Sequence, residues 1–149
     1  MNAKVRLLAK PWTLVLLRLV VGFGFVFHGY TKLSRGPERF ANILTVIGIP
    51  APSFMAWSTT LLELVGGACI MLGAFVVPIS VPLVLIMLTA MFGVHFQYGF
   101  SSVRLMGMTS GGAQFGPVGY EINLLYIAAL LTLVASGSTP WSVDGRLGR

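Results

Sequence analysis

The chain has 149 residues, 56% hydrophobic and 9% charged, with a mean hydropathy of +0.87. A soluble domain carries about 25% charged residues, so this composition excludes a water-facing globule, and the apolar runs leave no room for a soluble catalytic unit within a single domain over 1–149. The formal net charge of +6 does not indicate nucleic acid, because the cations are scattered and many lie within or beside apolar runs.

Lys4, Arg6 and Lys10 precede the first apolar run, where each cation gains about 1 kcal/mol against anionic cytoplasmic lipid. That run is too long for a signal peptide, contains Arg18, and ends without a small-x-small cleavage site. A membrane crossing takes about 20 predominantly apolar residues. Four segments qualify, at approximately 12–33, 53–72, 77–100 and 121–135, and predict an all-α bundle of four transmembrane helices.

In the first outer loop, Pro37 at a helix start, Gly48 at a stop, and Phe40, Ile43, Leu44 and Ile47 on one face predict a short interfacial helix over 37–47. Ile49-Pro50-Ala51-Pro52 then reads as an extended connection. The stretch 76–82, uncharged and with two prolines, suits a tight cytoplasmic turn. The segment 101–119 reads as a flexible loop; its Gly111, Gly112, Gly116 and Gly119 lack the lysine and strand context of a phosphate-binding motif. Lys4, Arg6, Lys10, Arg146 and Arg149 on the terminal side, against Arg35, Arg39 and Arg104 in the long loops, place both termini in the cytoplasm. Cys69 is the only cysteine, which excludes a dithiol mechanism within the chain.

Arg18, His28, Lys32, Glu63, His95 and Glu121 fall within or at the ends of these spans. A charge at mid-helix costs about 2.5 to 3.5 kcal/mol on insertion scales, so such residues turn inward and pair. The helical period lines up Arg18, Gly22, Phe25, Gly29 and Lys32 on one face of the first span, Ala56, Thr60, Glu63 and Gly67 on the second, and Glu121, Leu125, Ala128, Thr132 and Ala135 on the fourth. Counted from the span ends, His28, Lys32, His95 and Glu121 share one level near the outer boundary. Arg18 and Glu63 differ in depth by about 6 Å, within an arginine's reach, and form the expected ion pair. Each residue also has a plain structural reading: register-fixing for the pair, loop hydrogen bonds for the histidines, snorkelling for Lys32, and capping of its own helix for Glu121.

The ordered set Leu17-Arg18-Leu19, Gly22, Phe27-His28-Gly29, Lys32-Leu33, Gly48-Ile49-Pro50-Ala51-Pro52, Glu63-Leu64, Gly66-Gly67 and Leu72-Gly73 resembles the DoxX family. The likeness continues through His95, Gly119-Tyr120-Glu121, Leu124-Leu125 and Ser142-Val143-Asp144, and so covers almost the whole chain. It implies a four-helix protein of the bacterial inner membrane, associated in some members with thiosulfate and quinone-linked oxidation or with membrane complexes that handle oxidative stress. The sequence departs from the pattern at Leu72-Gly73-Ala74-Phe75, where many relatives carry a Thr-Arg pair, and its third loop is long.

Two functions compete. In the first, His28, Lys32, His95 and Glu121, beside Phe25, Phe92, Phe96 and Tyr98, bind a quinone ring in a redox-complex subunit that holds no cofactor of its own and draws electrons from a partner. In the second, the chain is a non-catalytic assembly factor, chaperone or accessory subunit, with lipid and a protein partner or a second copy around it. A haem or metal between His28 and His95 is disfavoured by Lys32 one turn away, so no metal site is assigned.

Overall fold

The computed structural model of the chain describes residues 3–137, 139 and 141–148, with side chains from Trp12 onward. The topology signals at Lys4, Arg6 and Lys10 are therefore placed by backbone alone, and Arg149 lies outside the described residues. Helix α1 (Ala3–Arg35) leads to α2 (Pro37–Val46), α3 (Pro52–Leu72) and α4 (Val76–Ala90). The α4 axis continues through a π turn, Met91–His95, and a 3-10 turn, Phe96–Tyr98. An antiparallel hairpin of β1 (Leu105–Thr109) and β2 (Gly112–Phe115) follows, then α5 (Glu121–Ala135) and the short α6 (Val143–Arg146). Three helices are long and apolar enough to cross a membrane: Trp12–Arg35, Pro52–Leu72 and Val76–Tyr98. Helix α5 is apolar but has 15 residues.

The closest helix packing joins α1 to α3, and glycine makes it possible. A Cβ on Gly22 would stand 2.5 Å from the Gly67 carbonyl oxygen, and a Cβ on Gly67 would stand 2.6 Å from that of Gly22. Gly29 lies as close to the Leu64 nitrogen and Thr60 carbonyl, at 2.9 and 3.0 Å from its own would-be Cβ. Small residues let the backbones meet where no hydrophobic effect pulls helices together in lipid. The expected inward faces hold on both helices: Arg18, Gly22, Phe25 and Gly29 are buried on α1, as are Ala56, Thr60, Glu63 and Gly67 on α3. Val21, Phe25, Ile70, Leu83, Leu130 and Leu133 form the core. Ala41 and Leu44 seat α2 on Ala56 of α3. Val20, Phe23, Leu61, Val65, Val81 and Leu85 face outward, a surface suited to lipid rather than water.

Three local expectations change. The turn expected at 76–82 is only Gly73–Phe75, because Gly73 at φ 64° ends α3 in the left-handed conformation while the Ala74 N–H closes on the Cys69 carbonyl at 2.8 Å. Pro78 falls in the first turn of α4, where its missing N–H costs nothing, and Pro82 is carried inside the helix. The loop 101–119 contains the exposed hairpin, turned by Ser110-Gly111 between Thr109 and Gly112. On α5, Leu125, Ala128, Thr132 and Ala135 face outward, and Asn123, Leu130 and Leu133 are buried instead. That face was expected to follow Glu121, whose carboxylate turns back to the preceding loop. The polar residue that enters the bundle is Asn123, donating to the Met87 carbonyl at 3.3 Å.

Candidate functional site

Lys32 on the last turns of α1 reaches across to Glu63 of α3, and the two close an ion pair through Lys32 Nζ and Glu63 Oε2. Glu63 is 1% exposed. A carboxylate so far from water needs a cation and a donor, and the ammonium supplies both. The same ammonium lies 4.6 Å from the centroid of the Phe40 ring on α2. One charge thus joins α1, α2 and α3. Trp57 Nε1 adds a second tie between α3 and α2, donating to Glu38 Oε1 at 3.2 Å.

The expected pairing of Arg18 with Glu63 is not formed. Because α1 and α3 run antiparallel with Gly22 against Gly67 and Gly29 against Leu64 and Thr60, Glu63 is level with the Gly29–Lys32 turn. Arg18 lies at the opposite end, beside Gly73, about 21 Å along the axis from Lys32. Counting depth from span ends misplaced it; the glycine contacts carry the true register.

The remaining candidates each have their own surroundings. His28, one turn before Lys32, is exposed and packs edge-on to the Phe27 ring at 6.5 Å. Its ring makes no hydrogen bond among the described residues. His95, in the π turn, places Nδ1 2.9 Å from the Val118 carbonyl, so Nδ1 carries the proton it donates there. Glu121 is held by the third loop: Oε2 accepts the Ser102 N–H at 3.0 Å. Ser102 Oγ in turn accepts the Ile122 N–H at 3.1 Å and so caps α5, the role expected of Glu121 itself. Tyr120 stacks on Phe96, centroids 5.4 Å apart, and meets Phe100 edge-on at 5.6 Å. Lys32 is thus engaged by Glu63, His95 by Val118 and Glu121 by Ser102. Among the described residues, no three His, Cys, Asp or Glu side chains come together as a metal site.

At the other end Arg18 is 3% exposed, and its Nη2 donates to the Trp141 carbonyl at 3.4 Å. The C-terminal segment is fastened there by Asp144, whose two carboxylate oxygens accept the Phe75 and Val76 N–H groups at 2.9 and 3.0 Å, at the N-terminus of α4. The Asp144 N–H returns to the Gly73 carbonyl at 3.0 Å. Ser142 caps α6 by accepting the Gly145 N–H at 2.9 Å. Sequence reasoning quoted Ser142 and Asp144 only as points of likeness and missed this clasp. It missed Asn123 too, although a lone amide in an apolar run was the available signal.

The sequence model of the family described as DoxX matches residues 13–96. An uncharacterized membrane protein of Mycobacterium tuberculosis is 29% identical over 150 aligned positions, which cover 93% of this chain and 83% of that protein. An uncharacterized protein of Haemophilus influenzae is 27% identical over 139 positions, covering 92% of each chain. No solved structure matches.

Proposed function

Because this membrane protein belongs to the DoxX family, we propose that it serves as a quinone-handling subunit of a redox complex in the bacterial inner membrane. In this reading α5 is the fourth crossing, α2 lies in the interface, and both termini are cytoplasmic. The observation that carries it is the state of His28. Lys32 and His95 are already engaged, by Glu63 and Val118, whereas the His28 ring is exposed and keeps its hydrogen-bonding capacity. A quinone arrives through the lipid and needs a donor at a carbonyl and flat apolar walls. His28 offers the donor, and the exposed rings of Phe27, Phe92 and Phe96 offer walls. The bound quinone would supply two-electron redox chemistry; this chain would bind and orient its headgroup. Cys69 is the only cysteine, so no dithiol within the chain supplies the electrons, and in this reading they come from a partner subunit.

A short-chain quinone analogue should raise the thermal midpoint of the purified protein, and His28→Ala should weaken its binding about tenfold, as expected for one lost hydrogen bond in a dry setting. An analogue that neither protects nor binds the wild type would sink this reading. A second reading, an accessory or assembly subunit without turnover, is favoured by the internal use of Glu63, Lys32 and Glu121. Purification in mild detergent at native expression should then recover a partner in fixed proportion, with the quinone analogue inert.

A further inference from the structure

A cavity of about 220 Å³ opens at the Arg18 end of the bundle, between the α3–α4 turn, α5 and the C-terminal segment. Its walls are mostly apolar: Val76, Val77, Pro78, Leu133 and Val134. Its polar lining is Arg18, Thr139, Ser142 and Asp144. Two of the three guanidinium nitrogens, Nε and Nη1, have no hydrogen-bond partner among the described residues, and neither has the Thr139 hydroxyl, although both side chains are more than nine-tenths buried. Leaving a buried donor unpaired costs about 1 to 3 kcal/mol, and more for a charged one.

Among the described residues, no carboxylate neutralises Arg18. Asp144 also lines the cavity, but its two oxygens are taken by the Phe75 and Val76 N–H groups. It forms no ion pair with Arg18, the Lys32–Glu63 pair being the one found among the described residues. The helix end that Asp144 caps carries a partial positive charge of its own, which offsets much of the carboxylate's field. The cavity thus holds a net cationic donor set at one end and hydrocarbon walls around it.

We propose that this cavity binds an oxyanion, phosphate or carboxylate, held by Arg18 Nε and Nη1 and by Thr139 Oγ1. Arginine presents adjacent donors in the planar fork that matches such groups. The apolar walls make the headgroup of an anionic lipid the expected source, its glycerol and upper acyl carbons lying along Val77 and Val134; a free anion from solution shares the same chemistry. The site is about 21 Å along α1 from the His28–Lys32 corner, so it is independent of any quinone chemistry there.

The test uses the full chain in a non-ionic detergent, with phosphatidylglycerol, phosphatidylcholine or inorganic phosphate added at matched ionic strength. Thermal unfolding is followed by the loss of helical circular dichroism, which a substitution to or from tryptophan leaves comparable. Phosphatidylglycerol should raise the midpoint by several degrees and bind about tenfold or more tightly than phosphatidylcholine, the preference that a charge-assisted contact confers. Arg18→Gln should abolish the preference, and Thr139→Val should reduce it. Val134→Trp, which fills the cavity and keeps the guanidinium, should also abolish it, and covers the case in which R18Q does not fold. If inorganic phosphate alone reproduces the shift in wild type and not in V134W, the site is upheld and its anion is soluble. Equal responses to the two lipids with no response to phosphate, or an undiminished preference in V134W, would overturn the proposal.

Discussion

Lys32 and Glu63 meet at the same level as the Gly29–Thr60 contact, so the ion pair and one of the close backbone approaches of α1 and α3 are parts of one crossing. Glycine sets the distance between α1 and α3, and the pair selects which turn of one faces which turn of the other. Removing Lys32 leaves an unpaired carboxylate that is 1% exposed. Lys32→Met should therefore cost about 3 kcal/mol or more, whereas the double variant K32M/E63L should recover most of the loss. Thermal unfolding of the three proteins in one detergent decides it; a double variant weaker than K32M would contradict this account.

The glycine contacts predict a sharp contrast between neighbours. Gly67→Ala drives a methyl into the backbone of α1, with 2.6 Å available to the Gly22 carbonyl, and should cost about 1 to 3 kcal/mol or more. Gly66→Ala meets only side chains, Ile79 at 3.2 Å and Leu83 at 3.4 Å, and should be tolerated far better. Comparable losses in the two variants would show that the backbones do not touch there.

Asp144 should behave as a clasp. Asp144→Ala removes the carboxylate that accepts from the Phe75 and Val76 N–H groups at the start of α4, a capping loss of about 1 to 2 kcal/mol. It should also release Trp141 from its place 6.0 Å from Trp12. A red shift of tryptophan emission in D144A, absent from a surface control such as Arg146→Ala, is the expected result.

Glu121 governs the loop rather than the helix that it begins. Glu121→Ala should expose the hairpin segment to protease, with cleavage after Arg104 accelerating several-fold while the unfolding midpoint falls by little. Unchanged cleavage would mean that the Ser102 contact contributes nothing to the order of the loop.

The sequence carried the fold well where its signals were periodic. Arg18, Phe25, Thr60 and Glu63 each sit on the inward face that the 3.6-residue period assigned them, since a charge or a glycine in an apolar span has few stable alternatives. Pairing was less legible. Which cation meets Glu63 depends on how two helices slide past each other, and span ends define that only to within a turn or more. The contact of Gly22 with Gly67 defines it to within a residue, but it is tertiary. On α5 the error began with Glu121: a charge at a helix start has a loop to turn to, whereas Asn123, two residues further, has none. The hairpin at 105–115 lies in a segment where glycine and serine obscure the alternation that marks a strand.

The π turn at Met91–His95, where the Phe96 N–H reaches back to the Met91 carbonyl, gives the third long helix its own consequence. One additional residue in a turn rotates everything beyond it by about 100° relative to an unbroken α-helix. His95 owes its angular phase, and hence its contact with Val118, to that single inserted position. The widened coil acts as a vernier: deleting one residue there would leave the hydrophobic rod continuous and swing the imidazole onto another side of the molecule.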